Sequence, residues 1–344
     1  MRPPEHWHLR RPHPLRQRRR LLLIAAIAMV GLVFLARLSF SGGGQSGRDA
    51  ELLVAQHTPV PTPTSIGPSL GSDTSLPSTE FVFASNAPPP RITGKSATVI
   101  EQSCGALLYG LDADKRLPPA SLAKIVTALV AVEQSDLSEV AEVQVNSSLM
   151  VSSSDSSVMG LQPGQELSIR DLLNGLLLPS GNDAAIAIAE HVGGSVPAFV
   201  ALMNGKVQEL GLQNTHFSNP HGLDELGLYT SALDIAVLGR ELMAQPVLAS
   251  IVAERTYQPA WDGPPLWNGN KLIYDYPDVL GVKTGYTADA GQTIVAAAER
   301  DGRTLVVSVL GAWDRYSDAI TLFNWAFANT VSPCFGGAPD LASP

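Results

Sequence analysis

Ser121-Leu122-Ala123-Lys124, Ser180-Gly181-Asn182 and Lys283-Thr284-Gly285 follow one another along a chain of 344 residues. In this order they hold the groups of a serine acyl-transfer site in which lysine, instead of histidine, takes the proton. Ser121 would stand at the first turn of a helix, where free backbone N–H groups and the helix dipole favour developing negative charge. Lys124, three residues on, projects from the same face and reaches the serine hydroxyl. To act as a base it must be neutral, which requires burial or a nearby cation. Lys283 is the candidate cation. Ser180 could pass a proton to a leaving amine, and the Asn182 amide could hydrogen-bond both Lys124 and a substrate backbone.

Lys283-Thr284-Gly285 ends an apolar run, so an extended peptide could add itself to that strand, with Gly285 letting it come close to the backbone. The N–H of Tyr286, with that of Ser121, would then form an oxyanion hole. Each triplet also has an ordinary explanation when taken alone: a helix cap with a solvated lysine, a helix start, and a turn at a strand end.

The elements needed to position these groups are legible from periodicity. Ala97 to Ile100 and Ala106 to Tyr109 flank Ser103-Cys104-Gly105 as a strand pair. Val279 to Thr284, Gln292 to Ala298 and Thr304 to Leu310 are three β-branched runs, the last two joined across Asp301-Gly302. Between these groups the period turns helical. Leu122, Ile125, Val126, Leu129, Val130 and Val132 form one stripe, and Leu172, Leu173, Leu176 and Leu177 form another after Ser168, a candidate N-cap. Further helices are expected over Asp183 to His191, Pro197 to Leu210, Ser231 to Met243 and Arg315 to Ala328. Strands at both ends with helices between them imply an α+β fold, an antiparallel sheet built from N- and C-terminal strands and covered by helices.

The segments outside this region are of other kinds. Residues 1–20 hold seven arginines and read as a basic cytoplasmic tail. Residues 21–40 are apolar enough to form a transmembrane signal-anchor, with a cleaved signal as the alternative. Residues 41–92 are rich in Gly, Ser, Thr and Pro and are expected to be a disordered linker. As a coil it would hold the next domain on the order of 40 Å from the membrane. Residues 93–330 suit one catalytic domain, and 331–344 a short tail. Removing residues 1–40, with their eight arginines and one glutamate, leaves 15 basic and 31 acidic residues, a formal net charge of −16. Such an acidic exported domain argues against nucleic acid as a partner. Cys104 and Cys334 lie far from the motifs, which argues against thiol catalysis; a disulfide and two buried thiols both remain open.

Four longer stretches carry a resemblance: Pro119 to Ile125, Leu176 to Ala185, Thr215-His216-Phe217-Ser218-Asn219-Pro220-His221-Gly222-Leu223, and Gly281 to Thr287. Over residues 93 to 330 the sequence resembles the D-alanyl-D-alanine carboxypeptidase family of low-molecular-mass penicillin-binding serine peptidases. The resemblance implies a β-lactamase/DD-peptidase-like fold and a peptidoglycan stem peptide ending in D-Ala-D-Ala as substrate, with β-lactams as covalent inhibitors and no cofactor or metal. It assigns Ser121 as nucleophile, Lys124 as general base, Ser180 as proton relay and Asn182 as a positioning group. Lys283 and Thr284 would hold the region of the terminal carboxylate, and Arg315, just before the final helix, would receive it.

A class A β-lactamase shares the triplets but needs a glutamate downstream of the second motif to activate deacylating water; the region around His216 to His221 offers no Glu-x-x-x-Asn, and Glu166 lies upstream of the motif. An endopeptidase of the same family and a non-catalytic wall-binding module remain as alternatives. A zinc peptidase has no support, because His191, His216 and His221 show no metal-ligand spacing, and they read as structural.

Overall fold

The computed structural model describes the backbone of Phe81–Val82 and residues 87–154, 156–261 and 263–334. The basic tail, the apolar span, most of the linker and the end of the tail lie outside the described residues. Among the described residues no single helix is long and apolar enough to cross a membrane.

The chain runs through β1 (Phe81–Val82), β2 (Ser96–Glu101), β3 (Leu107–Leu111), a 3-10 turn (Ala120–Ala123) and α1 (Lys124–Gln134). There follow β4 (Val140–Glu142), α2 (Ser147–Ser154), β5 (Glu166–Ser168), α3 (Ile169–Leu177), α4 (Asn182–Gly193) and α5 (Val196–Glu209). After α6 (Ala232–Ala244) and α7 (Pro246–Ala253) come β6 (Thr256–Tyr257), β7 (Leu266–Trp267) and α8 (Leu272–Asp275). The chain closes with β8 (Val279–Thr287), β9 (Gly291–Arg300), β10 (Arg303–Ala312) and α9 (Arg315–Asn329).

The main sheet has the order β1-β3-β2-β10-β9-β8, antiparallel throughout. Its centre joins the two ends of the domain, with Leu305 to Leu310 of β10 paired with Glu101 to Ser96 of β2. Strand alternation then sorts side chains into two cores. Val295, Ala297, Val306 and Ile100 face the helical layer of α1, α3, α4 and α6, while Ile294, Ala296, Val307 and Val99 face Leu322 and Phe323 of α9. Helices therefore cover both faces, the α+β arrangement read from the sequence. Asp301 (φ 52°) and Gly302 (φ 74°) are both left-handed, the geometry of a two-residue turn that matches the strand twist of β9 and β10.

Helix starts follow local chemistry. The hydroxyl of Ser168 accepts from Asp171 N, that of Ser231 from Asp234 N, and the Asp314 carboxylate from Ser317 N. α2, α7 and α8, short helices of four to eight residues, were not anticipated. The folded part also begins upstream of the expected edge at 93. Phe81–Val82 pairs with Gly110 and Tyr109 at the sheet edge, and the carbonyl of Pro88 accepts from the Trp325 indole N–H. An apolar pair inside a polar stretch is enough to satisfy an open strand edge. At the other end Cys334 is joined to Cys104 by a disulfide, with Cα atoms 5.8 Å apart across 230 residues of sequence. That resolves the cysteine alternatives and ties the start of the tail to the β2–β3 turn.

Candidate active site

Ser121 sits in the 3-10 turn ahead of α1, one step short of the expected first α-helical turn. The turn is held unusually. Ala120 has φ 50° and is fully buried, and two glycines press on it from separate elements. A Cβ on Gly222 would lie 1.9 Å from Ala120 O, and one on Gly285 would lie 2.8 Å from Ser121 N and 2.9 Å from Ala120 Cβ. The bare face of Gly285 thus receives the serine turn, in place of the ligand expected there. Backbone pairing of Leu117 with Thr230, at 2.8 and 2.9 Å, anchors the chain upstream.

Lys124, the first residue of α1, is fully buried with its Nζ 3.0 Å from Ser121 Oγ, 2.6 Å from Asn182 Oδ1 and 2.8 Å from His221 O. Burial first, then the Lys283 ammonium, holds the amine well below the usual lysine range, against an opposing pull from the Asp183 carboxylate. Both anticipated routes act on Lys124, with desolvation the larger.

The second motif links α3 to α4. Ser180 takes a left-handed backbone (φ 67°) and is half-buried instead of exposed. Its hydroxyl makes no hydrogen bond with any described residue. Asn182 opens α4 and is buried, with its oxygen on Lys124. The next residue, Asp183, is fully buried and accepts from Met159 N and Ala184 N at 2.9 Å, Gly160 N at 2.9 Å and Leu161 N at 3.0 Å. It pins the 159–161 segment to the helix start beside Lys124.

The third motif lies on β8, an edge strand hydrogen-bonded only to β9 in the sheet. Lys283 is buried and donates to Thr284 O at 2.9 Å. Burial, reinforced by the Arg315 guanidinium, brings its amine down to about 7. The Thr284 hydroxyl makes no hydrogen bond with any described residue. The Tyr286 side chain is 66% exposed. Arg315, the first residue of α9, donates through Nη1 to Gly285 O and, at 3.3 Å, to Thr293 O, while its buried Nε has no partner among the described residues. The guanidinium therefore stands under β8 next to Lys283.

Sequence reasoning missed Asp183, Gly222 and His221 as parts of the site. His216 is structural as read, with Nδ1 2.8 Å from Gly227 O and its ring stacked on Tyr229. His221 contributes its carbonyl to Lys124, and its ring, half-buried beside that lysine, is driven to a pKa of about 3 and is neutral. Asn219-Pro220-His221-Gly222 had stood out as a stretch of sequence, but nothing in its residue types announces a carbonyl as a ligand.

A serine and a lysine one turn apart, a second serine and an asparagine from a facing helix start, and a lysine on an open strand edge define the class: an α+β protein with a lysine-assisted serine centre. A profile of D-alanyl-D-alanine carboxypeptidases matches residues 83–314. The chain belongs to that family. It is 37% identical over 245 residues to D-alanyl-D-alanine carboxypeptidase DacF of Bacillus subtilis, covering 68% of this chain and 62% of that one. It is 38% identical over 255 residues to DacB2 of Mycobacterium tuberculosis, covering 71% and 86%. The crystal structure of the Streptomyces K15 DD-transpeptidase superposes with a TM-score of 0.67 at 30% identity, covering 70% of this chain and all of that one. This chain thus spans about six-tenths of the length of the Bacillus relative.

Proposed function

We propose that this protein is a serine D-Ala-D-Ala carboxypeptidase acting on peptidoglycan stem peptides. The observation that carries the reading is the fully buried Lys124, held between Ser121 Oγ, Asn182 Oδ1 and His221 O with its proton affinity lowered. A lysine in that state is suited to take the serine proton.

The stem peptide lies antiparallel along the open edge of β8 with its terminal carboxylate near Lys283, the free Thr284 hydroxyl and Arg315. Ser121 Oγ attacks the carbonyl carbon of the penultimate D-alanine as its proton passes to Lys124 Nζ. The oxyanion is received by the N–H groups of Ser121 and Tyr286. When the tetrahedral species collapses, the C–N bond breaks and the Ser180 hydroxyl passes a proton from Lys124 to the departing D-alanine amine. Water then attacks the acyl-Ser121 ester and gives a proton to Lys124, which returns it to Ser121 Oγ as the acyl C–O bond breaks, releasing the shortened peptide and regenerating the serine. A β-lactam ring would open on Ser121 by the same first step. The structural likeness to a protein titled a DD-transpeptidase supports a second outcome at this stage, an amine acceptor in place of water; cleavage of cross-links by the same centre is the endopeptidase version.

The apolar run at 21–40, preceded by seven arginines, supports an anchor in the cell membrane with residues beyond it outside the cytoplasm. Fractionation of membranes with and without residues 1–40 tests it; the truncated chain remaining in membranes would overturn it. The activity is tested by D-alanine release from a diacetyl-Lys-D-Ala-D-Ala peptide by the full chain and by Ser121→Ala. Release that vanishes in the variant is expected. Cleavage of a cross-linked muropeptide without release from the peptide would move the assignment to an endopeptidase, and a folded protein inactive on both would leave a wall-binding module.

A further inference from the structure

The site depends on a carbonyl, His221 O, and on a glycine, Gly222, which belong to a loop corner outside the three motifs. A backbone carbonyl can serve Lys124 only if its peptide plane is held. Asn219 is 5% exposed, and its carboxamide uses both of its ends on this corner. Its Oδ1 accepts from Gly222 N at 2.7 Å and from His221 N at 3.3 Å; its Nδ2 donates to Leu223 O at 3.0 Å and to Glu225 Oε2 at 2.8 Å. A second tie comes from α1. One turn beyond Lys124, the Thr127 hydroxyl donates to Pro220 O at 2.6 Å. Helix and corner are thereby locked to each other on both sides of the Lys124 amine.

We propose that Asn219 is a positioning residue for the serine–lysine pair: its carboxamide sets the His221–Gly222 corner that receives Lys124 and seats the Ser121 turn. The inference rests on the carboxypeptidase reading above. A carboxamide suits the task because it accepts from two adjacent N–H groups while donating to the far side of the same loop. An aliphatic side chain there leaves buried N–H groups unpaired, and the corner relaxes to find partners. Lys124 then loses one of three fixed contacts and Ser121 its backstop. Asn219 touches no substrate, so its loss slows the chemical step and leaves binding alone.

The test is the kinetics of D-alanine release, with melting temperature in parallel, for the full chain carrying Asn219→Ala. The expected result is a fall in kcat of about 10- to 100-fold with KM within threefold, and a matching fall in acylation by a β-lactam. Asn204→Ala is the control. Asn204 accepts from Phe217 N at 2.9 Å and donates to Phe217 O at 2.8 Å, stitching the adjoining stretch without reaching the corner. It should lose stability and keep kcat. Asn219→Asp combined with Glu225→Gln restores acceptors for His221 N and Gly222 N and reverses the outer hydrogen bond, and should recover most of kcat. If Asn219→Ala does not fold, Thr127→Val removes the short tie to Pro220 O, along with the longer 3.3 Å contact to Ala123 O within its own helix, and should lower kcat severalfold at unchanged KM. A kcat within twofold of wild type in Asn219→Ala, or in Thr127→Val when that is the variant read, overturns the proposal, as does an equal loss in Asn204→Ala. A wild-type chain that releases no D-alanine overturns instead the functional reading beneath it.

Discussion

Gly222→Ala separates backbone strain from displacement of the nucleophile. Gly222 has φ 87°, so an alanine there carries the left-handed penalty of roughly 1–2 kcal/mol. Its Cβ would also fall 1.9 Å from Ala120 O and 2.5 Å from Ala120 C, both rigid backbone atoms. Relieving that overlap moves the corner or the Ser121 turn by about 1 Å, a displacement that near a reacting serine costs on the order of 100-fold in rate. Gly302 supplies the comparison, because it has φ 74° with no atom within 4 Å of an added Cβ. Gly302→Ala should therefore lose a similar amount of stability and retain full activity. The assay is kcat for D-alanine release with urea denaturation on both variants. Activity within threefold of wild type in Gly222→Ala, at an intact fold, would refute the claim that this glycine seats the nucleophile; an equal loss in Gly302→Ala would show that the effect is general destabilisation.

Lys283 has a folded value of about 7 against 10.5 when unfolded, so between those limits the unfolded chain binds the proton that the folded chain has released. This group makes stability rise with pH across that window and fall again as pH drops toward 7. Lys283→Met should then melt higher at pH 7 and flatten the pH dependence while losing activity, and an unchanged melting profile would count against a buried, depressed lysine. The same residue gives a substrate prediction: a peptide ending in an amide leaves Lys283 and Arg315 without an anion and should lose at least tenfold in kcat/KM, whereas equal turnover would remove the carboxylate from the mechanism. Replacing Cys104 and Cys334 by serine, or adding reductant, should lower stability by about 2–5 kcal/mol because the bridge closes nearly the whole domain. No change in the denaturation midpoint would show that the tail is not holding the β2–β3 turn. Tyr286 is invoked for its backbone N–H, so Tyr286→Ala should keep kcat within about threefold while Tyr286→Pro loses on the order of 100-fold; similar losses in both would assign the work to the exposed ring.

The strands and longer helices were legible because burial writes a period into the chain. The runs at 279–284, 292–298 and 304–310 carry their β-branched residues on both faces, as a sheet covered on both sides requires. Ser168 and Ser231 announced helix starts by type, and the structure uses both as caps. The short helices α2 and α8 left no comparable trace, since four to eight residues give at most two turns of periodicity. At the site, side chains named for their intrinsic chemistry lie close together: Lys124 is within hydrogen-bond distance of Ser121 and Asn182, and Lys283 is near enough to lower its amine. The groups that went unseen act through what any residue possesses or lacks. His221 gives a carbonyl and Gly222 and Gly285 give the absence of a Cβ, while Asp183 spends its carboxylate on four backbone N–H groups. Such roles depend on which backbones meet, and that is decided by packing between segments well separated in the chain, such as Lys124 and His221, 97 residues apart.

Three basic side chains around Ser121 are coupled to one another electrostatically. Lys124, Lys283 and Arg315 act in series: Arg315 helps lower Lys283, and Lys283 helps lower Lys124. With Lys283 near 7, its charge at neutral pH is only partly present, so the last link of the series is soft. An anionic ligand beside Lys283 and Arg315 would favour the protonated Lys283, and a fully charged Lys283 in turn favours a neutral Lys124. Binding of a terminal carboxylate would thus prepare the base that takes the Ser121 proton, coupling recognition of the chain end to activation of the serine. The buried Asp183 carboxylate opposes this at Lys124 and favours the protonated lysine that forms once the serine gives up its proton.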